Sequence, residues 1–160
     1  MNEKDVAEKL VMKLQELKRT VSTMESCTGG GLANKITNVC GASGVFNFCA
    51  VTYSNEYKIK MGVDPDVIEK YSVYSIETAR EMSREISKFA NSDYGIGVTG
   101  KLNCADISNQ SGMDDIVYVS IYDRRANVFL DSSIRVESED REKNKNKIIL
   151  NTIEKLYNIL

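Results

Sequence analysis

The chain of 160 residues contains no histidine. That absence removes the Ser-His-Asp and Cys-His arrangements of nucleophilic enzymes and every histidine-ligated metal centre. A nucleophile here must take its base from a lysine, a tyrosine or a carboxylate. Long apolar runs are also missing, and the start, Met1-Asn2-Glu3-Lys4-Asp5, is polar and mixed in charge. No signal peptide, membrane span or membrane partner is therefore expected, and the cytoplasm is the expected compartment. There is no basic surplus: the formal net charge is −2, which argues against nucleic acid as a general partner. The four cysteines, at positions 27, 40, 49 and 104, form no Cys-x-x-Cys pair. A disulfide framework and a closed zinc site are excluded on that pattern.

What is present is an ordinary globular composition, expected to form one domain over 1–160 with room for a proper core. The chain turns on Thr23-Met24-Glu25-Ser26-Cys27-Thr28-Gly29-Gly30-Gly31. A β-prone run, Val21 to Met24, leads into small hydroxyl, thiol and glycine residues, and Leu32, Ala33, Ile36 and Val39 continue at helical spacing. The pattern predicts strand, tight turn and helix, with Ser26 and Cys27 in the turn. Thr28 or Ser26 can simply cap that helix while the glycines let the backbone turn. Alternatively, the turn presents a nucleophile where free N–H groups and the positive end of the helix dipole stabilise an anion. Neither the phosphate-binding pattern with lysine after the glycines nor a Gly-x-Gly-x-x-Gly fingerprint is present.

Along the rest of the chain, Val6, Leu10, Leu14 and Leu17 predict an amphipathic helix over 3 to about 18. A strand at about 20–25 and a helix to about 39 follow, broken by Cys40-Gly41-Ala42-Ser43-Gly44. Val45 to Tyr53 is predicted as a buried strand, and its end is loaded with polar and aromatic groups. Asp64-Pro65 marks a helix start, and Ser75 opens a longer helix with Ala79, Met82, Ile86 and Phe89 facing inward. Tyr94 to Thr99 is a short strand whose Gly95 and Gly97 imply close approach of a backbone or a ligand. A long loop, Gly100 to Asp115, precedes two strands, Ile116 to Tyr122 and Val128 to Val136, joined by Asp123-Arg124-Arg125-Ala126. A last helix begins at about 140, and its Lys143-Asn144-Lys145-Asn146-Lys147 run reads as a solvated face. Helices before, between and after the strands define an α/β class protein, a three-layer α/β/α sandwich on a mixed, mostly parallel sheet.

Taken together, Glu25-Ser26-Cys27-Thr28-Gly29-Gly30, Gly41-Ala42-Ser43 and Val51-Thr52-Tyr53-Ser54-Asn55-Glu56 with Lys58 resemble the CinA C-terminal domain family. The likeness continues through Val73-Tyr74-Ser75, Asp93-Tyr94, Val98-Thr99-Gly100 and Asp140-Arg141. It implies a nicotinamide-nucleotide amidohydrolase that releases ammonia from the carboxamide of nicotinamide mononucleotide, a pyridine nucleotide, in salvage of such nucleotides. No metal and no cofactor are implied. A stand-alone deamidase that self-associates as a homo-oligomer is. Carried over by position, Ser26 is the nucleophile, Lys58 its general base and Tyr53 a hydroxyl that relays a proton or positions the carboxamide. Substrate binding falls to Glu25, Thr28, Gly29, Gly30, Asn55, Thr99, Gly100 and Arg141. Independently of the family, a lysine with a lowered pKa is a workable base where histidine is absent. Cys27 is the rival nucleophile beside Ser26, and a small buried thiol is its expected role.

Two segments depart from the family pattern. Relatives follow the Thr-Gly with Ile-Ala-Gly-Pro and more glycines, then a Lys-Pro pair. This chain instead has Lys101-Leu102-Asn103-Cys104-Ala105-Asp106-Ile107-Ser108-Asn109-Gln110-Ser111-Gly112. The family's second arginine after Gly-Asp-Arg is here Lys145, which keeps the charge without the bidentate fork. Lys101 or Lys145 is the expected replacement for a lost phosphate contact. A catalytically inactive nucleotide-binding or assembly module on the same fold is the alternative that these departures raise.

Overall fold

The computed structural model describes residues 3–160, and the polar start at Met1 and Asn2 lies outside the described residues. Helix α1, Glu3–Leu17, buries Val6, Leu10 and Leu14 along one face. Strand β1, Val21–Glu25, is buried at all five positions. After the glycine turn come α2, Gly31–Thr37, a 3₁₀ turn at Ala42–Gly44, and β2, Phe46–Val51. Three helices follow: α3, Asn55–Lys60, α4, Pro65–Tyr71, and α5, Ile76–Ala90. Their starts are written in the sequence. Asp64 accepts from the Asp66 N–H with Pro65 at the first helical position, and Ser75 accepts from the Thr78 N–H. Strands β3, Tyr94–Gly100, β4, Ile116–Asp123, and β5, Val128–Arg135, precede α6, Arg141–Ile159, which Asp140 caps.

The strands form one sheet in the order β2-β1-β3-β4-β5. β1 is parallel to β2 and to β3, whereas β4 is antiparallel to both of its neighbours, so only β4 runs against the rest. Alternation along the strands sorts the core into two faces. Val21, Ile96, Val98, Val119 and Ile121 pack with apolar residues of α1, α2 and α6. Met24 packs on the other face with Met82 and Ile86 of α5. The result is the α/β/α sandwich read from the sequence.

Gly95 and Gly97 face α5 because the helix backbone lies directly on the strand. A Cβ at Gly95 would stand 2.0 Å from the Ser83 carbonyl oxygen, and one at Gly97 would stand 2.3 Å from that of Ala79. The approaching group is thus a helix backbone and not a ligand. Gly97→Ala is expected to lower stability by about 2–4 kcal/mol, read as a lower urea midpoint with the slope unchanged.

Three expectations need correction. β2 is an edge strand, paired only with β1, so Phe48, Cys49 and Ala50 are half-buried and Asn47 and Val51 are exposed. An apolar run cannot distinguish a central strand from an edge strand whose outer face other elements cover. Phe89 is 63% exposed and lies against the Phe48 ring of that edge, with centroids 5.0 Å apart, rather than in the core. Within the Lys143–Lys147 run, Asn144 is buried, and its amide donates to the carbonyls of Leu102 and Ser138 at 3.1 and 2.7 Å. One polar residue there ties the last helix to the loop after β3.

The strand order also places the site. From β1 the chain moves outward to β2 and then returns past β1 to β3, with α2 and α5 on opposite faces. The C-terminal end of β1 is therefore the topological switch point, where the connections diverge and leave a crevice.

Candidate active site

Ser26 follows β1, Tyr53 and Lys58 follow β2, and Gly100 and Lys101 end β3, so three parallel strands deliver their functional residues to one place. Lys58 is only 1% exposed although it lies on the short surface helix α3. Its ammonium donates to the Ser26 hydroxyl at 3.0 Å and to the Thr52 carbonyl at 2.7 Å. Burial lowers its pKa from 10.5 to about 8, partly offset by the charge of Asp106. Desolvation disfavours the charged amine, which is how a lysine becomes a base near neutral pH. Cys27 is also buried, and burial pushes its thiol up to about 12. Of the two side chains in the turn, Ser26 is the one hydrogen-bonded to an amine of lowered pKa.

Glu25 is fully buried, and its carboxylate is consumed by the protein itself. Oε1 accepts from the Thr28 hydroxyl at 2.6 Å and the Leu32 N–H at 2.9 Å. Oε2 accepts from the Ala33 N–H at 3.0 Å, the Thr23 hydroxyl at 3.1 Å and the Cys49 thiol at 3.4 Å. The anion at the start of α2 is therefore a side chain of the turn, not a ligand, and Glu25 and Thr28 brace the turn. The Gly29 and Gly30 backbones have φ of 60° and 90°, which the absence of a Cβ permits. Among the described residues, the Cys27 and Thr28 N–H groups donate to no carbonyl.

The Ser26 hydroxyl borders a cavity of about 350 Å³ whose wall includes Tyr53, Tyr74, Gly100, Asp106 and Arg141. Tyr53 is 65% exposed, and Arg141 reaches its hydroxyl at 3.5 Å and the Lys101 carbonyl at 3.4 Å. Arg141 also borders a second depression over Gly29 and Gly30, where the Lys145 ammonium stands 3.6 Å from the point a Gly29 Cβ would occupy. Of the predicted binding residues, Thr28, Gly29 and Gly30 border only the second depression, and Glu25, Asn55 and Thr99 border neither. Thr99 is buried and donates to the Val73 carbonyl at 2.9 Å, and Asn55 donates to Asn109 at 3.0 Å. Lys101 is not free for a phosphate. It donates to Asp114 at 2.9 Å and to the Gln110 and Gly112 carbonyls, closing its own loop. Tyr74 and Asp106, hydrogen-bonded to each other across the cavity wall, were not singled out from the sequence. No local pattern marks a tyrosine at a helix start and an aspartate in an aperiodic loop as partners.

A serine hydroxyl paired with a buried lysine at the switch point of an α/β/α sandwich defines the class of fold and site. The CinA C-terminal domain model matches residues 3–160, and the chain belongs to that family. A CinA-like protein of Kosmotoga olearia is 44% identical over 101 residues, covering 62% of this chain and 24% of that protein. A relative from Thermoanaerobacter sp. (strain X514), named for competence and damage induction, is 48% identical over a stretch of the same coverage. The chain thus spans about a quarter of the length of these curated relatives. The crystal structure of the competence/damage inducible protein CihA from Agrobacterium tumefaciens superposes with a TM-score of 0.86 at 25% identity, covering 96% of this chain and 93% of that one. A competence or damage-inducible protein from Enterobacter asburiae shares the fold with a TM-score of 0.88 at 23% identity, covering 99% and 98%. Among the described residues, no helix is long and apolar enough to cross a membrane.

Proposed function

We propose that this chain is an amidohydrolase that removes ammonia from the carboxamide of nicotinamide mononucleotide, with Ser26 as nucleophile and Lys58 as base. The observation that carries this reading is the 3.0 Å contact between a buried lysine and a serine hydroxyl at the mouth of an open cavity. Neutral Lys58 takes the Ser26 proton as Oγ attacks the carboxamide carbon. The tetrahedral oxyanion lies next to the Cys27 and Thr28 N–H groups. The Lys58 ammonium then returns the proton to the departing nitrogen, and ammonia leaves. Water enters, Lys58 deprotonates it, and the acyl ester is hydrolysed to the free acid with Ser26 restored. Tyr53, held by Arg141, positions the carboxamide. Arg141 and Lys145 over the Gly29-Gly30 turn supply the cationic contact for the phosphate. The loop that departs from the family pattern folds on Lys101 and leaves the cavity open, which weighs against an inactive module.

The test is ammonia release from nicotinamide mononucleotide by the purified protein, beside Ser26→Ala and with a chelator present. Release that survives the chelator and disappears in Ser26→Ala is the expected result. A folded wild type that releases nothing overturns the reading. The neutral amine is the working form of Lys58, so kcat is expected to rise with pH through about 8 and then level off. A pH–rate profile that is flat from pH 6.5 to 9 contradicts lysine as the base.

A further inference from the structure

Asp106 lies in the segment where the chain departs from the family pattern, yet it is held in place. Its Oδ2 accepts from the Tyr74 hydroxyl and from the Asn109 amide at 3.4 Å, and its Oδ1 accepts from the Ser108 N–H at 2.9 Å. Asn109 is anchored in turn by Asn55 at 3.0 Å, so the brace runs back to α3 beside Lys58. Gly112, at φ 79°, brings the far end of the loop onto Tyr74, where a Cβ would stand 2.9 Å from the tyrosine Cβ. Lys101 lies over the Tyr74 ring at 5.1 Å from its centroid. Tyr74 and Asp106 are thus one unit, fixed from both ends of the loop.

That unit gives the cavity an anionic group and a second aromatic ring. Its cations are otherwise engaged: Lys101 pairs with Asp114, Lys58 faces Ser26, and Arg141 reaches Tyr53 and the Lys101 carbonyl. The Tyr74 bond holds the Asp106 carboxyl below the ordinary range. Among the residues bordering this cavity, Asp106 is the only acidic one. A carboxylate fixed in the cavity wall by the Tyr74 hydroxyl attracts a delocalised cation by charge, and does little for a neutral ring of the same shape.

We propose that Asp106, braced by Tyr74, is a specificity-determining residue that selects a carboxamide carried on a cationic aromatic ring over the same carboxamide on a neutral ring. This deepens the amidohydrolase reading and rests on it for the carboxamide.

The experiment is calorimetric binding of nicotinamide mononucleotide and of its reduced dihydro form, whose ring is neutral, to the full chain carrying Ser26→Ala. The cationic nucleotide is expected to bind about tenfold tighter than the neutral one, as a screened charge pair a few ångströms apart provides. Adding Asp106→Asn is expected to bring the two affinities within about twofold, with the neutral ligand moving less than about threefold. Asp106→Glu, which keeps the charge, is expected to keep the preference. Equal weakening of both ligands in Asp106→Asn, no preference in the parent, or no binding of either ligand overturns the proposal. Ammonia release by the wild type is read separately. A preference for the cation without ammonia release sinks the hydrolase reading and leaves the ring selection standing. Release without any preference does the reverse.

Discussion

Lys58→Met is expected to release ammonia from nicotinamide mononucleotide at least ~10³-fold more slowly than the wild type and, at pH 7, to melt at a higher temperature. The rate loss follows from removing the only amine within hydrogen-bond distance of Ser26 among the described residues. The stability gain follows from the cost of burying that amine. Its pKa falls from 10.5 to about 8 on folding. Below pH 8 the lysine is protonated in both states and its burial opposes folding by about 3 kcal/mol. Between pH 8 and 10.5 the folded chain holds fewer protons than the unfolded one, so wild-type stability rises with pH across that window. Methionine has a similar length and no charge. It leaves the Thr52 carbonyl and the Ser26 hydroxyl without their donor, a loss of about 1–2 kcal/mol, so the net gain at pH 7 is about 1–2 kcal/mol. Melting curves of both proteins at pH 7 and at pH 10 check this, and the gap is expected to narrow at the higher pH. A variant that is both inactive and less stable at pH 7 would show that Lys58 is a structural cation, not a strained base.

Glu25 should behave in the opposite way. Glu25→Ala is expected to lose about 3–5 kcal/mol of stability, because the first N–H groups of α2, two threonine hydroxyls and a thiol lose one shared acceptor in a dry setting. Glu25→Gln is expected to lose about 2–3 kcal/mol despite equal volume, since all five partners are donors and an amide nitrogen would meet some of them donor to donor. Denaturant unfolding measures both. Activity per folded molecule should fall as well, because the turn that carries Ser26 is held by these bonds. A Glu25→Ala protein of wild-type stability with only KM raised would instead make Glu25 a ligand contact. The contrast with Lys58 separates two buried polar groups that look alike in the sequence: Glu25 is saturated by five donors and supports the fold, whereas Lys58 has two neutral acceptors and its burial opposes the charged form.

The amphipathic period of α1, the Asp64-Pro65 and Ser75 starts, and the hairpin from β4 to β5 were legible because each is a local pattern with a local physical cause. So was the pairing of a serine in a strand-to-helix turn with a lysine after the next strand, through the resemblance of the motifs around Ser26 and Tyr53 to the family. Other features were settled only by the fold. β2 reads as a core strand, but its outer neighbour is missing, and that depends on the order in which strands pair. Glu25 and Thr99 sit inside the family's motifs, yet their side chains turn into the protein. A strand's pleat decides this at each position, and the motif does not record it. Lys101 reads as a replacement phosphate contact and Asn144 as part of a solvated face, and both are instead ties of the long loop.

By itself, the sequence determined the class of fold and the strand-to-helix turn that carries Ser26, since both follow from local pattern. The tertiary structure alone decided that Lys58 is dry, that the anion at the start of α2 is Glu25, and that Tyr74 and Asp106 face the same cavity. Burial and long-range pairing depend on how distant segments meet, and a pKa or a hydrogen bond between residues 32 positions apart exists only once they have met.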